Sequence, residues 1–443
     1  MSTQPDIPEA YRPLIACLRG AVSGLPPDPS LTSPAFDWQA LLLLARQHGV
    51  DTFLYPWLAT RLPEAFSAKA ARPPDCAQAA WRACFLEALR LSAQRRRQLA
   101  ELLTAFAHAE LQVLPLKGAW LCETVYDDPA QRSMADLDLL VHADDRDASH
   151  ALFRSLGYAA ATDTLHNPFA NDQSYRHPAH PLSVELHWHF GTEQFSDLPL
   201  PDISSIWDRS QLADCCGHTV RALSPADQVA HLVQHVLHHL FAMHLRGYLD
   251  LALYLQKRGS LLDAEALSAA STRWKTGRAI PFMLTLVAGL FDLPLPSPLA
   301  GYAADAPAEM CATAFRLLFS LPQPRERDGE TTLLRFRNSS QFGRLLLVAS
   351  RIFMPREILA FHYPSARHPW GLPWAWLCRA RDLHAQNRAR IKGMLTEGTH
   401  DAHLLANAEA RLALVNDLLK DVRHEARCSV NKVVGVTSSP DVR

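Results

Sequence analysis

The chain has 443 residues, of which 48% are hydrophobic, and its 44 lysines and arginines nearly balance its 45 aspartates and glutamates. This length allows two or three domains with well-formed cores. The balanced charge disfavours long nucleic acid as the main partner, and no apolar run is long enough for a membrane span. The nine cysteines include no Cys-x2-Cys pair, which argues against a zinc site. Their odd number argues against a disulfide framework and favours a cytoplasmic protein with reduced thiols.

Residues 1–76 show the pattern of a helical region. Apolar residues recur at helical spacing between residues 8 and 62, and proline-rich segments interrupt the pattern. A long helix is predicted next, from Gln78 to Leu111. It contains the run Arg95-Arg-Arg97, for which a solvated helix face is the expected environment.

A short strand, Val113 to Leu116, is predicted to lead into the turn Lys117-Gly118 and a helix over 119–125. Glycine at this position lets the backbone approach a phosphate closely, and the start of a helix offers N–H groups and a positive dipole end. The lysine adds a positive charge. Lys117 and Gly118 are therefore candidate ligands for phosphate groups.

Two aspartates lie in the run Asp136-Leu-Asp138-Leu-Leu-Val, which alternates as a β-strand does. Both carboxylates then share one face of a sheet. Adjacent carboxylates repel each other unless a cation lies between them, and Mg²⁺ combines a few carboxylates with substrate phosphates. The pair predicts metal-dependent phosphoryl or nucleotidyl transfer, although such pairs also occur on solvated strand edges. Arg132 and Ser133 are expected to supply a forked donor and a hydroxyl to the phosphates.

The segment Ser183-Val-Glu-Leu-His-Trp-His-Phe190 shows the same alternation. Its apolar residues share one face, and Ser183, Glu185, His187 and His189 share the other. A glutamate-and-histidine face beside the aspartate strand would complete a site with three carboxylates. An antiparallel strand with one face in water shows the same alternation, so this pattern alone leaves both interpretations open.

An ordered set of motifs carries a resemblance to a known family: Lys117-Gly118, Tyr126, Arg132-x3-Asp136-x-Asp138 and Glu185-Leu-His-Trp188. Together they resemble the bacterial nucleotidyltransferase-like proteins of the DNA polymerase β superfamily, in particular the group described as uncharacterised nucleotidyltransferases. The resemblance covers residues 80–260. It implies a minimal mixed β-sheet flanked by helices, with Asp136 and Asp138 as metal ligands, Glu185 as the third carboxylate and Gly118 in the nucleotide-phosphate loop. One departure is the turn itself, because the superfamily usually has Gly-Ser or Gly-Gly there, nearer to the aspartates.

A further helix is predicted to begin at Ser224-Pro225, a good capping sequence. It carries four histidines: His231, His235, His238 and His239. No third zinc ligand is evident near them, so packing or lining of the site is the favoured interpretation. We expect His235 to be the one that contacts a phosphate or the acceptor. Asp250, in the following helix, is expected to orient a histidine or to cap.

We therefore expect an α+β fold, in which a small mixed β-sheet nucleotidyltransferase core is embedded in a mostly α-helical body. The core with its flanking helices is assigned to residues 77–260. Residues 1–76 form an N-terminal helical region, 261–428 a C-terminal helical region, and 429–443 a disordered tail.

The expected activity is transfer of a nucleoside monophosphate from an NTP to a hydroxyl of an unidentified acceptor, which is a small molecule, sugar, peptide or protein. The resemblance implies Mg²⁺ or Mn²⁺ at Asp136, Asp138 and Glu185, with His187 orienting Glu185 or touching the acceptor. The alternative is a non-catalytic module that keeps this fold and binds a nucleotide or a partner protein. The C-terminal helical region is a candidate surface for a protein or peptide partner.

Overall fold

The computed structural model describes residues 7–33, 35–63, 77–161, 171–190, 199–303, 307–320, 363–395 and 399–422, with a few residues between 349 and 360. Contacts divide the chain into two compact units. One unit comprises residues 1–165, 169–319 and 414–443, and the other comprises 166–168 and 320–413. Every candidate site residue lies in the first unit. The region boundaries expected at 76, 260 and 428 stay predictions, and the tail at 429–443 lies outside the described residues.

Helices dominate the chain. The α-helices are α1 (Arg12–Ser23), α2 (Trp38–Gln47), α3 (Asp51–Arg61), α4 (Ala77–His108), α5 (Lys117–Thr124), α6 (Arg146–Ser155), α7 (Ile203–Arg209), α8 (Pro225–His238), α9 (Leu245–Arg258), α10 (Ala264–Trp274), α11 (Ala279–Phe291), α12 (Ser297–Ala303), α13 (Ala308–Leu318), α14 (Leu372–Leu395) and α15 (Thr399–Leu418). Among the residues with a described position, no helix combines the length and apolar character that crossing a bilayer requires.

A mixed sheet of five strands forms the centre of the first unit. The strands are β1 (Leu114–Pro115), β2 (Asp136–Leu140), β3 (Ala159–Ala160), β4 (Asp172–Arg176) and β5 (Ser183–His187), in the order β1-β2-β5-β4-β3. Strands β2 and β5 are parallel, and the other neighbouring strands are antiparallel. A separate antiparallel hairpin consists of β6 (Gln211–Cys215) and β7 (His218–Ala222). A small mixed sheet within a helical body confirms the predicted α+β class.

The apolar face of the sheet packs against helix α4. One buried cluster contains residues from this helix and from strands β2 and β5: Leu99, Leu102, Leu103, Phe106, Leu137, Leu139, Val184 and Leu186. Burying one such side chain stabilises the fold by about 2 kcal/mol. Because side chains alternate along a strand, the residues between these apolar positions project from the opposite face of the sheet. The packed apolar face of strands β2 and β5 therefore supports the candidate site, which lies on the opposite face of the same two strands.

The arginine run in helix α4 departs from the prediction at one residue. Arg96 and Arg97 are exposed and have acidic partners, as a solvated face requires. Arg95 is instead buried, and its guanidinium donates to the carbonyl oxygens of Pro129 and Arg132 at 2.9 Å each. The expectation was wrong for Arg95, because the segment that leads into β2 packs over this turn of the helix and its carbonyls need donors.

Candidate active site

The parallel register of β2 and β5 assembles the site. Asp138 lies opposite Glu185, and Leu140 lies opposite His187. Paired residues on adjacent strands project from the same face about 5 Å apart. Asp138, Glu185 and His187 each present one potential ligand atom, and these three atoms lie within 4.8 Å of one another. Glu185 and His187 thus lie beside an aspartate of the Asp-x-Asp strand, which is one of the two environments that the alternation left open.

Asp138 is the centre of the hydrogen bonds in this group. Its side chain is buried, and its Oδ1 accepts a hydrogen bond of 2.6 Å from Nζ of Lys117. Nε2 of His187 lies 3.0 Å from the same oxygen and 3.6 Å from Oε2 of Glu185. Lys117 and His187 therefore meet at one carboxylate oxygen, and a carboxylate oxygen of Glu185 also lies near the imidazole nitrogen.

The three carboxyl groups differ in pKa for clear reasons. Burial alone would raise the pKa of Asp138, but the charge of Lys117 and the hydrogen bonds from His187 and Lys117 lower it well below its usual value. Burial and the charge of Asp138 raise the pKa of Asp136. Burial and the charges of Asp138 and Asp136 raise the pKa of Glu185. The charge of Asp138 thus acts on Asp136, although Asp136 is not a member of the group of three potential ligand residues.

The backbone before helix α5 places Lys117 over Asp138. The N–H of Leu116 donates to the carbonyl oxygen of Asp138 at 3.0 Å, which extends the pairing of β1 with β2 by one residue. Lys117 follows at once, with φ of 43° in the left-handed region. That conformation costs a residue with a Cβ about 1 kcal/mol or more. The helix therefore begins at a residue with a strained backbone, at the place where the sequence predicted a turn. This conformation directs the ammonium group of Lys117 to Asp138.

Gly118 has a packing reason to be glycine. A Cβ atom at this position would overlap with Nη1 of Arg132 and lie 2.9 Å from Cε of Met134. The absence of a side chain therefore makes room for the arginine. The role predicted for Gly118 in binding phosphate stays a prediction.

Arg132 forms a buried ion pair with Asp250. Its Nε and Nη2 donate to the two carboxylate oxygens at 2.8 and 2.7 Å, and the hydroxyl of Tyr126 donates to the same carboxylate at 2.7 Å. Asp250 was expected to orient a histidine or to cap a helix, and its partners are instead an arginine and a tyrosine. Two members of this network, Tyr126 and Arg132, were among the motif residues, but no pattern in the sequence linked them to Asp250.

Ser133 lies beside a second arginine, Arg246, for which the sequence provided no functional signal. Nη1 of Arg246, in helix α9, donates to the carbonyl oxygen of Ser133 at 2.7 Å and lies 3.2 Å from its hydroxyl oxygen. The charges of Lys117 and Arg246 oppose the rise in the pKa of Asp136. The predicted phosphate contact of Ser133 stays a prediction, and Arg246 joins the candidate residues.

The histidines of helix α8 pack beside the site as neutral imidazoles. His231 is buried, with ring centroids of Phe190 and Trp274 at 5.2 and 5.8 Å. Burial, and then the charge of Lys117, lower its pKa to about 3. The same two causes lower the pKa of His235 well below its usual value. Within the described part of the chain, these histidines belong to no group of three potential metal ligands.

The donor set of Asp138, Glu185 and His187 fits a hard divalent cation. Two carboxylates suit Mg²⁺ or Mn²⁺, and the imidazole adds one nitrogen donor. Neighbouring ligands of an octahedral ion with bonds of 2.0–2.1 Å are about 2.9 Å apart. The distances from the imidazole nitrogen to the two carboxylate oxygens are 3.0 and 3.6 Å, which is close to this spacing. The ammonium of Lys117 contacts one of these two oxygens.

Comparison with known proteins decides the class of the chain. The family model described as "uncharacterised nucleotidyltransferase" matches residues 34–292, which is more than half of the chain. The chain belongs to this family. The assignment confirms the nucleotidyltransferase class that the motifs predicted, and the matched range includes every candidate site residue.

One solved structure is also similar to this nucleotidyltransferase. It is the solution structure of the antibiotic-resistance factor ANT(2'')-Ia, with 12% sequence identity and a TM-score of 0.29. The similarity covers 41% of this chain and 91% of that chain. The comparison with curated proteins found no match.

Proposed function

We propose that this nucleotidyltransferase moves a nucleoside monophosphate from an NTP to a hydroxyl group of an acceptor, in a metal-dependent reaction. The observation that carries the proposal is the convergence of Asp138, Glu185 and His187, whose ligand atoms lie within 4.8 Å of one another in a chain of this family. Asp136 lies two residues before Asp138 in strand β2, so it adds a further carboxylate to the same face of the sheet.

Asp138, Glu185 and His187, with Asp136 beside them, are the residues that would hold Mg²⁺ or Mn²⁺. A divalent cation bound there would neutralise charge on the triphosphate and lower the pKa of the acceptor hydroxyl. Asp138 is suited to this role because it stays ionised, since its pKa is lowered.

Glu185 is the best-placed residue to take the proton of the acceptor hydroxyl. Its side chain is 33% exposed, whereas that of Asp138 is 4% exposed, so Glu185 is the carboxylate that an acceptor can reach. Its raised pKa brings it closer to the range in which a carboxylate works as a general base. The hydroxyl oxygen forms a bond to the α-phosphorus, the bond from that phosphorus to the bridging oxygen breaks, and pyrophosphate leaves with the electron pair.

Lys117, Gly118 and Ser133 are proposed to bind the phosphates. Lys117 lies at the first residue of helix α5, where the backbone N–H groups and the helix dipole favour an anion. We propose a positioning role for Arg132, because Asp250 engages its guanidinium and Gly118 packs against it. In that role Arg132 fixes the turn that presents Lys117.

The proposal is tested by incubating the purified protein with each α-labelled NTP, Mg²⁺ or Mn²⁺, and separate pools of small molecules, sugars, peptides and proteins. We expect label on one pool together with release of pyrophosphate. Both should be lost in Asp138→Asn and retained in Asp147→Asn, which changes an exposed carboxylate on helix α6. Tight NTP binding with no transfer to any pool would favour the non-catalytic alternative and contradict the proposed reaction.

A further inference from the structure

We propose that Lys117 is a built-in counter-ion of the carboxylate site, which competes with the divalent cation and passes to the nucleotide phosphates when that cation binds. The inference rests on the proposed function, because it assigns an order of events to the same site. This turn has Lys117-Gly118 where Gly-Ser or Gly-Gly is usual, and the inference explains what the lysine does there.

The contact between Lys117 and Asp138 is direct and well shielded. Nζ of Lys117 lies 2.6 Å from Oδ1 of Asp138, and the two side chains are 24% and 4% exposed. The negative charges of Asp138, Glu185 and Asp136 all stabilise the ammonium form of Lys117. One ammonium therefore interacts with every carboxylate to which we assign the metal.

The oxygen that Lys117 contacts is also the one beside His187. Oδ1 of Asp138 lies 3.0 Å from Nε2 of His187, so this oxygen and this nitrogen are the pair spaced to share one ion. A cation bound between them would lie within a few ångströms of the ammonium, and two positive charges repel strongly at that distance in a shielded site. Lys117 must therefore leave Oδ1 before the ion can be held there.

Among the described residues, no other lysine or arginine forms an ion pair with Asp138. Arg132 is paired with Asp250, and Arg246 donates to Ser133. The imidazoles of His231 and His235 are kept neutral, because burial and the Lys117 charge oppose their protonation. Among the described ion pairs of Asp138, Lys117 is the only partner that carries a permanent charge.

The ammonium group of Lys117 can change position while the backbone of Lys117 stays fixed. The hydrogen bond from Leu116 to the Asp138 carbonyl and the left-handed φ of 43° hold the Cα atom in place. The four-carbon stem remains rotatable and carries a compact charge. Since Lys117 is also the first residue of helix α5, an ammonium that leaves Asp138 stays close to phosphates bound at that helix start.

The test measures Mn²⁺ binding directly, by electron paramagnetic resonance or calorimetry, with no nucleotide present. Lys117→Met removes the charge and keeps the length of the side chain. We expect it to bind Mn²⁺ about 10-fold more tightly than the wild type, or better, because the competing charge is gone. Lys257→Met is the matched control, since Lys257 lies in helix α9 and pairs with Asp127 away from the site. It should bind Mn²⁺ as the wild type does.

A second arm uses a non-hydrolysable NTP analogue. The analogue should tighten Mn²⁺ binding far more in the wild type than in Lys117→Met, because only the wild type has an ammonium to transfer to the phosphates. Lys117→Gln keeps a hydrogen-bond donor for Asp138 without its charge. It should behave like Lys117→Met, and it serves as the test variant if the methionine protein does not fold.

The outcomes separate this inference from the proposed function. If the wild type binds Mn²⁺ and the neutral variants bind it with equal or lower affinity, Lys117 is not a competing counter-ion, and the nucleotidyl transfer proposal stands. If neither the wild type nor the variants bind Mn²⁺, with or without the analogue, the metal site itself is absent and both proposals fail.

Discussion

Asp138 and Glu185 face each other across the parallel pair of strands β2 and β5, so two carboxylates distant in sequence share one site. Their proximity is unfavourable unless positive charge lies between or beside them, and burial and the neighbouring charges raise the pKa of Glu185 accordingly. Lys117 supplies that charge at 2.6 Å from Asp138. The site therefore keeps its carboxylates together through a cation from the chain itself.

The two aspartates of strand β2 should differ in importance. Asp138→Asn removes a member of the group of three potential ligand residues and the partner of Lys117, so transfer should fall by about 1,000-fold or more. Asp136→Asn lies outside that group, and the loss should be smaller. Turnover of both purified variants at saturating Mg²⁺ checks this order. Full activity in Asp138→Asn would rule out the mechanism.

Replacing Gly118 by alanine should destabilise the protein. The added Cβ would overlap with the guanidinium of Arg132, and overpacking of this kind costs about 1–3 kcal/mol. Gly301→Ala is the matched control, because its Cβ would meet no atom within 4 Å in helix α12. The free energy of unfolding in urea should fall for Gly118→Ala and stay equal or rise for Gly301→Ala. Equal stability of both variants would contradict the packing explanation.

The buried pair of Arg132 and Asp250 should be sensitive to loss of one partner. Asp250→Leu leaves a buried guanidinium without its carboxylate, which typically costs about 3–5 kcal/mol. Glu87→Gln disrupts an exposed pair with Arg90 in helix α4 and should leave stability unchanged. Denaturant unfolding of the two variants compares them. If Asp250→Leu were as stable as Glu87→Gln, the pair would not support the turn at Gly118.

Stability should decrease at mildly acidic pH because of His48. Its Nδ1 accepts a hydrogen bond from the N–H of Leu245, which requires a neutral nitrogen, and burial, with the nearby His244, lowers its pKa from 6.5 to about 3. The unfolded chain therefore binds a proton first as the pH falls. This contribution to stability is complete above about pH 6.5 and decreases by about 2 kcal/mol between pH 7 and pH 5.

Replacement of His48 by asparagine, whose side-chain oxygen can accept the same hydrogen bond, tests this dependence. The variant should lose less stability than the wild type between pH 7 and pH 5, measured as unfolding free energies at each pH. Identical slopes for the two proteins would show that folding does not lower the pKa of His48.

Loss of His187 should affect turnover more than nucleotide binding. The imidazole contacts Asp138 and Glu185, whereas Lys117 and the start of helix α5 are proposed to hold the phosphates. His187→Ala should lower turnover by at least about 10- to 100-fold, the usual effect of losing a group that only orients a metal site, because His187 is itself a proposed ligand. Calorimetry should find the affinity for the NTP nearly unchanged. A matching loss in affinity would place His187 in the phosphate site instead.

The sequence by itself determined the local elements of the site. Alternation in Asp136-Leu-Asp138 and in Ser183 to His187 predicted two strands with polar and apolar faces, and both strands are present. Lys117-Gly118 predicted the start of a helix, which begins at Lys117. Strands and helix starts can be predicted in this way because the repeat of apolar and polar side chains is a property of one segment of the chain.

Only the tertiary structure decided which side chains meet. The parallel pairing of β2 with β5 selected Glu185 as the neighbour of Asp138, and the same alternation would have suited a strand facing water. The packing of helix α9 gave Arg132 the partner Asp250, and the segment before β2 buried Arg95. A pattern along the chain determines which face a residue occupies, whereas its partner depends on how distant segments pack, and local spacing carries no information about that contact.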